Sequence, residues 1–342
     1  MTRRLVVDFA SAGAAWRVPP TALQAVRDVL GAGWEMLEVV APAASDGDGG
    51  SATPEAIAAA RGAEVYFGYG VPAGVVAAAR ATLKWVHSGT AGVGGSLPHL
   101  AGTGIVLTNS AATHAEPIAD WVIASIAYFA RGLDRMREAQ GERRWARDTF
   151  TALRVPVVEF RDLRVGVFGL GGIGSAVARR ALALGMAVAG VRRRPELGGP
   201  VGLRWVGGLA DLARLAAESD CLVIAAPQTR ETAGAVNRQI LERLPDGAVV
   251  INVSRGSLVP EDGLLRVLES GRLRGAALDV FTTEPLPAGH PFWAHPRVLV
   301  SPHVAAVTSR FWERETSLIL ENVRRYLAGS PLLNVVDEEA GY

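Results

Sequence analysis

Three separate segments of this sequence end in residues of the types that reduce a carbonyl group. They are Val249-Val-Ile-Asn252-Val-Ser254-Arg255-Gly256, Ala277-Leu-Asp279-Val-Phe-Thr-Thr-Glu284-Pro285, and Val298-Leu-Val-Ser301-Pro302-His303. Each opens as an apolar, strand-like run and closes on polar side chains. When a hydride reaches a carbonyl carbon, negative charge develops on the oxygen and an acid must protonate it. Histidine titrates nearest neutral pH, which points to His303. A carboxylate on the other ring nitrogen fixes the tautomer and favours the imidazolium, a role open to Glu284. An arginine holds a substrate carboxylate and polarises the carbonyl, a role open to Arg255. Singly, each has a plainer reading: a surface loop arginine, a helix-entry carboxylate before Pro285, a satisfied strand-end histidine. Three independent segments that fit one mechanism favour the chemical reading.

A hydride donor is also implied. Val165-Gly-Val-Phe runs directly into Gly169-Leu-Gly171-Gly172-Ile173-Gly174, and Ser175 to Leu184 continues as a helix. In Gly-x-Gly-x-x-Gly after a strand, Gly169 permits the tight turn and Gly171 lets the backbone approach a pyrophosphate. Gly174 lets helix and strand pack closely. The helix N-terminus then offers N–H groups and partial positive charge to phosphates. A chain with 39 glycines can carry a glycine-rich turn for structural reasons alone. Here a strand precedes the motif, a helix follows it, and a second strand comes next. A site for NAD usually has Asp or Glu about 20 residues on, for the ribose 2′-hydroxyl. This second strand instead ends Gly190-Val-Arg192-Arg193-Arg194-Pro195. Guanidinium groups pair with phosphate, so Arg192 and Arg193 are expected at a 2′-phosphate and NADP(H) is the preferred dinucleotide, with NAD(H) possible. A solvated arginine cluster, or stacking on adenine, is the competing explanation.

The elements that must position these groups alternate throughout. Strands are expected over 4–9, 35–40, 63–68, 85–88 and 105–109, with helix-like stretches between them, including 21–30 after Pro20. Residues 43–51 read as a Gly/Asp/Ser loop, and Thr53-Pro54-Glu55 as an N-cap with proline in the first turn. The stretch 117–131 is apolar almost all round, which suits a helix buried in the protein or at a subunit contact. An irregular stretch with Trp145 and Phe150 follows. A second alternating run has strands over 164–168, 187–191, 221–225, 248–253, 275–280 and 298–300. A last helix carries Ile319, Val323, Tyr326 and Leu327 on one face, with Gly329 and Pro331 as its stop. Alternating strands and helices imply parallel sheets covered on both faces.

Composition bounds the function. The chain has 342 residues, 49% apolar and 20% charged, with formal net charge +1. That supports about two folded domains and argues against disorder and against a general nucleic-acid binder. Lys84 is the only lysine, so the basic residues are almost all arginine. No apolar run approaches the roughly 20 residues a membrane helix needs, and the first residues lack a signal-peptide core. Cys221 is the only cysteine, so no internal disulfide forms; it reads as a small buried hydrophobe in a strand. His87, His99, His114, His290 and His295 make no metal-ligand pattern. A cytoplasmic protein without metal, membrane or nucleic-acid partner is the expectation.

The glycine loop, Asn252-Val-Ser-Arg255-Gly256, Leu278-Asp279-Val-Phe-x-x-Glu284-Pro285-Leu and Ser301-Pro302-His303 together resemble the D-2-hydroxyacid dehydrogenases. The intervals of 29 residues from Arg255 to Glu284 and 19 from Glu284 to His303 resemble that family too. The resemblance implies an α/β protein of two doubly wound domains, a Rossmann cofactor domain (112–307) inserted in a flavodoxin-like substrate domain (1–111 and 308–342). It implies Arg255 as substrate binder, Glu284 as the partner of His303, and His303 as acid/base beside the cofactor. Asp279 is then expected near the nicotinamide amide, and Ala226-Pro227 and Val253-Ser254 along the cofactor cleft. His87-Ser88-Gly89-Thr90-Ala91-Gly92-Val93-Gly94 resembles the family's substrate loop, whose N–H groups at Ala91 and Gly92 would bind the substrate carboxylate. The family often has Asp where Gly94 stands, so the support of this loop differs here. Val93, His114 and Trp121 are candidates for the substrate side-chain pocket. The segment 117–150 matches the region through which family members form homodimers. The implied activity is reduction of a small 2-keto acid, glyoxylate or hydroxypyruvate first, to a D-2-hydroxy acid. Alternatives are a nucleotide-sensing, corepressor-like interaction protein of the same fold, or a related dehydrogenase for formate, phosphite or another small acid.

Overall fold

The computed structural model describes residues 3–42, 47–111, 113–339 and 341. The first four residues of the expected 43–51 loop lie outside them. The chain divides into two compact units, Met1–His114 with Val307–Tyr342, and Ala115–Ala306.

The first unit holds a parallel five-stranded sheet. Its strands are β1 (Arg3–Asp8), β2 (Trp34–Glu38), β3 (Val65–Gly68), β4 (Trp85–Ser88) and β5 (Val106–Asn109), in the order β2-β1-β3-β4-β5. That order is the flavodoxin-like one. The central strands β3 and β4 are buried along their whole length, as expected of a sheet covered on both faces. Helix Pro20–Leu30 buries Ala22, Leu23, Val26 and Leu30, a stripe at helical spacing. Thr53 caps the next helix as its sequence predicts: its hydroxyl accepts from the Ala56 N–H at 3.1 Å, with Pro54 in the first turn. In the last helix, Phe311–Leu327, Ile319 and Val323 are buried and Tyr326 is half-buried. Leu327, expected on the same face, is exposed in the final turn.

One surface of this unit carries a testable ion pair. Arg3 donates to Glu64 at 2.8 and 3.1 Å, and the Tyr326 hydroxyl donates to the same carboxylate at 2.8 Å. The Arg3 guanidinium is the main reason the Glu64 carboxyl is held down at about 2. A depressed carboxylate stabilises the fold fully above its unfolded value, near 4.3, and the contribution is lost as pH falls toward the folded value. Arg3 is half-exposed, so screening reduces the effect. Glu64→Gln is expected to cost about 1–2 kcal/mol at pH 7 and close to nothing at about pH 2. Chemical denaturation of both proteins at the two pH values checks this.

The second unit holds seven parallel strands. They are β6 (Arg164–Phe168), β7 (Ala187–Val191), β8 (Val206–Gly207), β9 (Cys221–Ile224), β10 (Val249–Asn252), β11 (Gly275–Leu278) and β12 (Val298–Val300), in the order β12-β11-β10-β9-β6-β7-β8. Counted from β6, the first six follow the Rossmann order 3-2-1-4-5-6, with β12 added beyond β11. The two-residue β8 has too little pattern to be read from sequence. The expected strands 221–225, 248–253 and 275–280 stop one to two residues earlier, because the chain turns out of the sheet where the polar loops begin.

Helix Ala115–Ala130 buries Ile118, Ala119, Val122, Ile126 and Phe129, while Glu116 and Asp120 face solvent. Arg180 of helix Gly172–Ala183 donates to both carboxylates, at 2.5 and 2.7 Å. The stretch expected to be irregular contains two helices, Leu133–Gly141 and Arg147–Thr151. Gly132, at φ +67°, ends the preceding helix, and the strong helix formers of Leu-Asp-Arg-Met-Arg-Glu-Ala-Gln start a new one. Asp134 anchors it to Arg274 at 2.5 and 2.6 Å. Cys221 is buried, and burial pushes its thiol up to about 12, as suits an inert core residue.

Candidate active site

In the second unit every residue expected to touch a dinucleotide or a carbonyl lies just past the carboxyl end of a strand of one parallel sheet. Gly169 follows β6, Arg192 follows β7, and Ala226-Pro227 lie two residues past β9. Val253-Ser254-Arg255 follow β10, Asp279 follows β11, and Ser301 to His303 follow β12. Strand order alone brings them to one edge, the edge at which open α/β sheets bind ligands.

The glycine turn is sterically determined. Gly169 sits at φ +102°, and a Cβ there would lie 2.3 Å from the Ala226 nitrogen and 2.4 Å from its Cα. A Cβ on Gly174 would lie 1.8 Å from the Gly169 carbonyl oxygen. Gly171, the N-cap of helix Gly172–Ala183, is different: a Cβ there meets nothing within 4 Å. No protein atom requires glycine at Gly171, so the residue suits close approach of a ligand's phosphates to a helix N-terminus. The donor set and the open face therefore fit a dinucleotide. Ser254 Oγ donates to the Ala226 carbonyl, tying the loops after β9 and β10 together. Arg192 is half-buried and donates to the Gly198 carbonyl at 2.8 Å, while Arg193 is exposed.

Arg255 is presented by a loop built on Asn252. The buried Asn252 side chain donates to the Arg255 carbonyl at 3.0 Å and accepts from the Ser254 N–H at 3.1 Å. Gly256 then lets this loop lie directly on the next one: a Cβ there would be 2.0 Å from the Phe281 carbonyl carbon. Arg255 Nη1 donates to the Ser254 carbonyl at 2.7 Å. Asn252 and Gly256 are visible in the sequence but gain a role only through these contacts.

Glu284 and His303 meet. His303 Nδ1 lies 2.7 Å from Glu284 Oε2, and the Phe281 N–H donates to Glu284 Oε1 at 2.8 Å. Burial pushes the Glu284 carboxyl up. The bonds from His303 and Phe281, with the positive charges of His303 and Arg255, outweigh it and hold the carboxyl below its usual range. Glu284 is therefore ionised at neutral pH and serves as the acceptor that fixes the imidazole tautomer. His303 itself stands at φ +55°, the left-handed region that costs a side-chain-bearing residue about 1–2 kcal/mol.

Asp279 is buried beneath this loop. Its Oδ1 accepts from Ser301 Oγ at 2.6 Å, Val304 N–H at 2.9 Å and Ala305 N–H at 3.1 Å, and its Oδ2 accepts from the Ala305 N–H at 3.0 Å. Burial pushes its carboxyl up, against those bonds and the nearby His303 charge.

In the first unit, the loop after β4 has its carbonyls held. Asn109 Nδ2 donates to the Ala91 carbonyl at 2.9 Å and Thr90 Oγ1 to the Gly92 carbonyl at 2.7 Å. Among the described residues no acceptor engages the N–H groups of Ala91 and Gly92. Asp48 supports the end of this loop, accepting from the Gly95 N–H at 2.5 Å and from the Ser96 hydroxyl. A carboxylate from another segment thus braces the loop that lacks one at Gly94. Of the side-chain pocket candidates, Val93 is buried in the core of its unit. His114 is buried, stacked on Phe311 at 5.1 Å, with Nε2 3.1 Å from the Gly89 carbonyl. Trp121 is half-buried in the second unit. His87 is also structural: its Nε2 lies 2.8 Å from Glu315 Oε1, both fully buried. Among the described residues no group of three His, Cys, Asp or Glu side chains is placed to hold a metal ion.

A glycine turn at a helix N-terminus and an Arg/Glu/His set along the same edge of a Rossmann sheet define a dinucleotide-dependent oxidoreductase domain. Residues 123–305 match the family described as D-isomer specific 2-hydroxyacid dehydrogenase, NAD binding domain. A glyoxylate/hydroxypyruvate reductase A of Klebsiella pneumoniae is 35% identical over 225 residues, which are 65% of this chain and 68% of that protein. The crystal structure of a D-isomer specific 2-hydroxyacid dehydrogenase from Xanthobacter autotrophicus Py2, in complex with NADPH and MES, aligns over all of both chains with TM-score 0.79 and 30% identity. An NADPH-dependent glyoxylate/hydroxypyruvate reductase from Sinorhizobium meliloti, in complex with NADP and sulfate, aligns over 99% of this chain and 100% of that one, with TM-score 0.77 and 27% identity. The chain belongs to the D-isomer specific 2-hydroxyacid dehydrogenase family.

Proposed function

We propose that this enzyme reduces a small 2-keto acid, glyoxylate or hydroxypyruvate, to the D-2-hydroxy acid with NADPH. The His303–Glu284 pair at 2.7 Å, on the same sheet edge as Arg255 and the glycine turn, carries the reading. A bound reduced nicotinamide supplies the hydride. Gly169 to Gly174 hold the pyrophosphate, Arg192 and Arg193 the 2′-phosphate, and Ala226, Pro227, Val253 and Ser254 the walls of the cleft. With Nδ1 committed to Glu284, His303 donates its Nε2 proton to the substrate oxygen as charge develops there. Arg255 binds the substrate carboxylate and polarises the carbonyl. The unit containing β1–β5 binds substrate, the N–H groups of Ala91 and Gly92 taking the carboxylate. The relatives named for glyoxylate and hydroxypyruvate, and the neighbours bound to NADPH or NADP, support these choices.

The test is oxidation of NADPH and NADH with a panel of 2-keto acids, followed by absorbance. Turnover favouring NADPH supports the proposal. Tight NADPH binding with no turnover on any acid overturns it in favour of a sensing protein. Arg193→Ala is expected to weaken NADPH about 10-fold and leave NADH within about 2-fold, since a charge-assisted bond contributes about 1.5–3 kcal/mol. Titration of each cofactor by fluorescence checks this; equal losses for both would sink the 2′-phosphate assignment.

We also assign a homodimer. Leu133, Met136, Trp145 and Leu153 are exposed along 133–153, Trp145 at 90%, and exposed apolar surface of that kind is what a twofold contact would bury. Sedimentation of the wild type and of Trp145→Glu reads the assembly. A cytoplasmic location accords with the single buried thiol; no helix among the described residues is long and apolar enough to cross a membrane.

A further inference from the structure

We propose that Asn109 is a positioning residue for the substrate loop: it aims the Gly92 N–H by holding the Ala91 carbonyl, and Asn334 holds Asn109 in turn. The inference rests on the reading that the Ala91 and Gly92 N–H groups take the substrate carboxylate. A peptide group is planar and trans, so a C=O and the N–H of the next residue point in opposite directions. Anchoring the Thr90 and Ala91 carbonyls therefore sets the directions of the Ala91 and Gly92 N–H groups. Both anchors come from the end of β5. The Ser110 N–H donates to the Thr90 carbonyl at 3.1 Å, and Asn109 Nδ2 donates to the Ala91 carbonyl at 2.9 Å. The first bond is made by backbone alone. The second depends on a side chain, so the residue type at 109 decides it.

The orientation of the Asn109 amide is determined by its neighbours. Its Oδ1 accepts from the Ala111 N–H at 3.3 Å, which leaves Nδ2 toward the Ala91 carbonyl. Its backbone is fixed by the segment that follows the last helix. The Asn109 N–H donates to the Asn334 carbonyl at 3.1 Å, and Asn334 Nδ2 donates back to the Asn109 carbonyl at 3.1 Å. The Val336 N–H donates to the Leu107 carbonyl at 2.9 Å, so this segment runs antiparallel along β5. Asn322, fully buried in the last helix, clamps the same segment. Its side chain accepts from the Leu333 N–H at 2.7 Å and donates to the Leu333 carbonyl at 3.1 Å. Asn334 stands at φ +53°, a conformation that asparagine adopts more readily than most residues with a side chain. Asn109 itself is buried, with its amide engaged by Ala91 and Ala111. It therefore acts on a substrate through the Gly92 N–H rather than by contact.

The experiment compares wild type, Asn109→Ala, Asn109→Asp and Asn334→Gly in the full chain. It reads kcat and KM for glyoxylate and hydroxypyruvate with NADPH, the NADPH Kd, the Kd of oxamate on the NADPH complex, and the crystal structure of Asn109→Ala. Asn109→Ala is expected to raise KM and the oxamate Kd about 10-fold to 100-fold, with kcat within about 3-fold and NADPH Kd within about 2-fold. In its structure the Ala91–Gly92 peptide should be rotated away from its wild-type direction. Asn109→Asp keeps the acceptor for Ala111 and the side-chain volume but offers Ala91 no donor, so it should raise KM at least about as much. Asn334→Gly keeps the positive φ and removes one bond to Asn109, and should raise KM about 3-fold to 10-fold even where Asn109→Ala fails to fold. Parallel losses in kcat, oxamate binding and NADPH binding would mark a merely structural role and overturn the proposal. So would an unrotated Ala91–Gly92 peptide in Asn109→Ala, or unchanged KM and oxamate Kd in Asn334→Gly. If wild type reduces no 2-keto acid and binds no oxamate, the proposed reaction falls, while the peptide direction still decides whether Asn109 sets it.

Discussion

His303→Ala is expected to lower kcat by roughly 1,000-fold or more while NADPH binds with nearly unchanged affinity. Removal of the imidazole takes away the acid paired with Glu284, and leaves the glycine turn and Arg192 loop intact. The Glu284 carboxylate then loses its His303 hydrogen bond and keeps the one from the Phe281 N–H. Its carboxyl should rise toward the usual range, because the bond and the charge that hold it down are gone while its burial remains. Glu284→Gln should be milder, about 10-fold to 100-fold, since an amide still accepts from Nδ1 but stabilises no imidazolium. Single-turnover kinetics with NADPH, alongside a binding titration, separates these effects. Near-normal turnover in His303→Ala would defeat the mechanism.

The second large effect belongs to Gly169→Ala. At φ +102° an alanine is strained before any contact is counted, and its Cβ would fall 2.3 Å from the Ala226 nitrogen. The obstructing atoms are backbone atoms of the loop after β9, which has little room to yield because Ser254 is bonded to the Ala226 carbonyl. Relief requires the turn to move away from β9, and with it the N-terminus of helix Gly172–Ala183. NADPH affinity is expected to fall about 100-fold or more, and stability by about 3 kcal/mol. Gly171→Ala is the control that separates steric ruin from ligand contact. Its Cβ meets no protein atom, so the fold should keep its stability while NADPH binding weakens. Thermal denaturation and titration of both variants read the difference. Equal destabilisation by the two would show that Gly171 is structural.

Much of the architecture is legible because its signals are local. The run from Val165 into Gly169 shows a strand, a turn and a helix within one short segment. Thr53-Pro54 likewise specifies its own cap. Expectations fail where local pattern is weak or contested. Residues 133–151 mix charge with aromatics and carry no clean stripe, yet good helix formers and the Asp134–Arg274 pair make them helical. The partner in that pair is 140 residues away, beyond the reach of any local pattern.

The sequence by itself determined the residue types needed for carbonyl reduction, the glycine turn that suits a dinucleotide, and the alternation that forces parallel sheets. Those properties follow from side-chain chemistry and from periodicity within a few residues. Tertiary structure decided which of these residues meet. The sheet order places the ends of β10, β11 and β12 side by side, and so sets His303 on Glu284 and the Arg255 loop against Phe281. It also decided that Asp279 grips the loop around His303 and that Asp48 braces the loop lacking a carboxylate at Gly94. Each of these depends on a hydrogen bond or steric contact between segments far apart in the chain. Such contacts exist only once parallel pairing has brought the segments together.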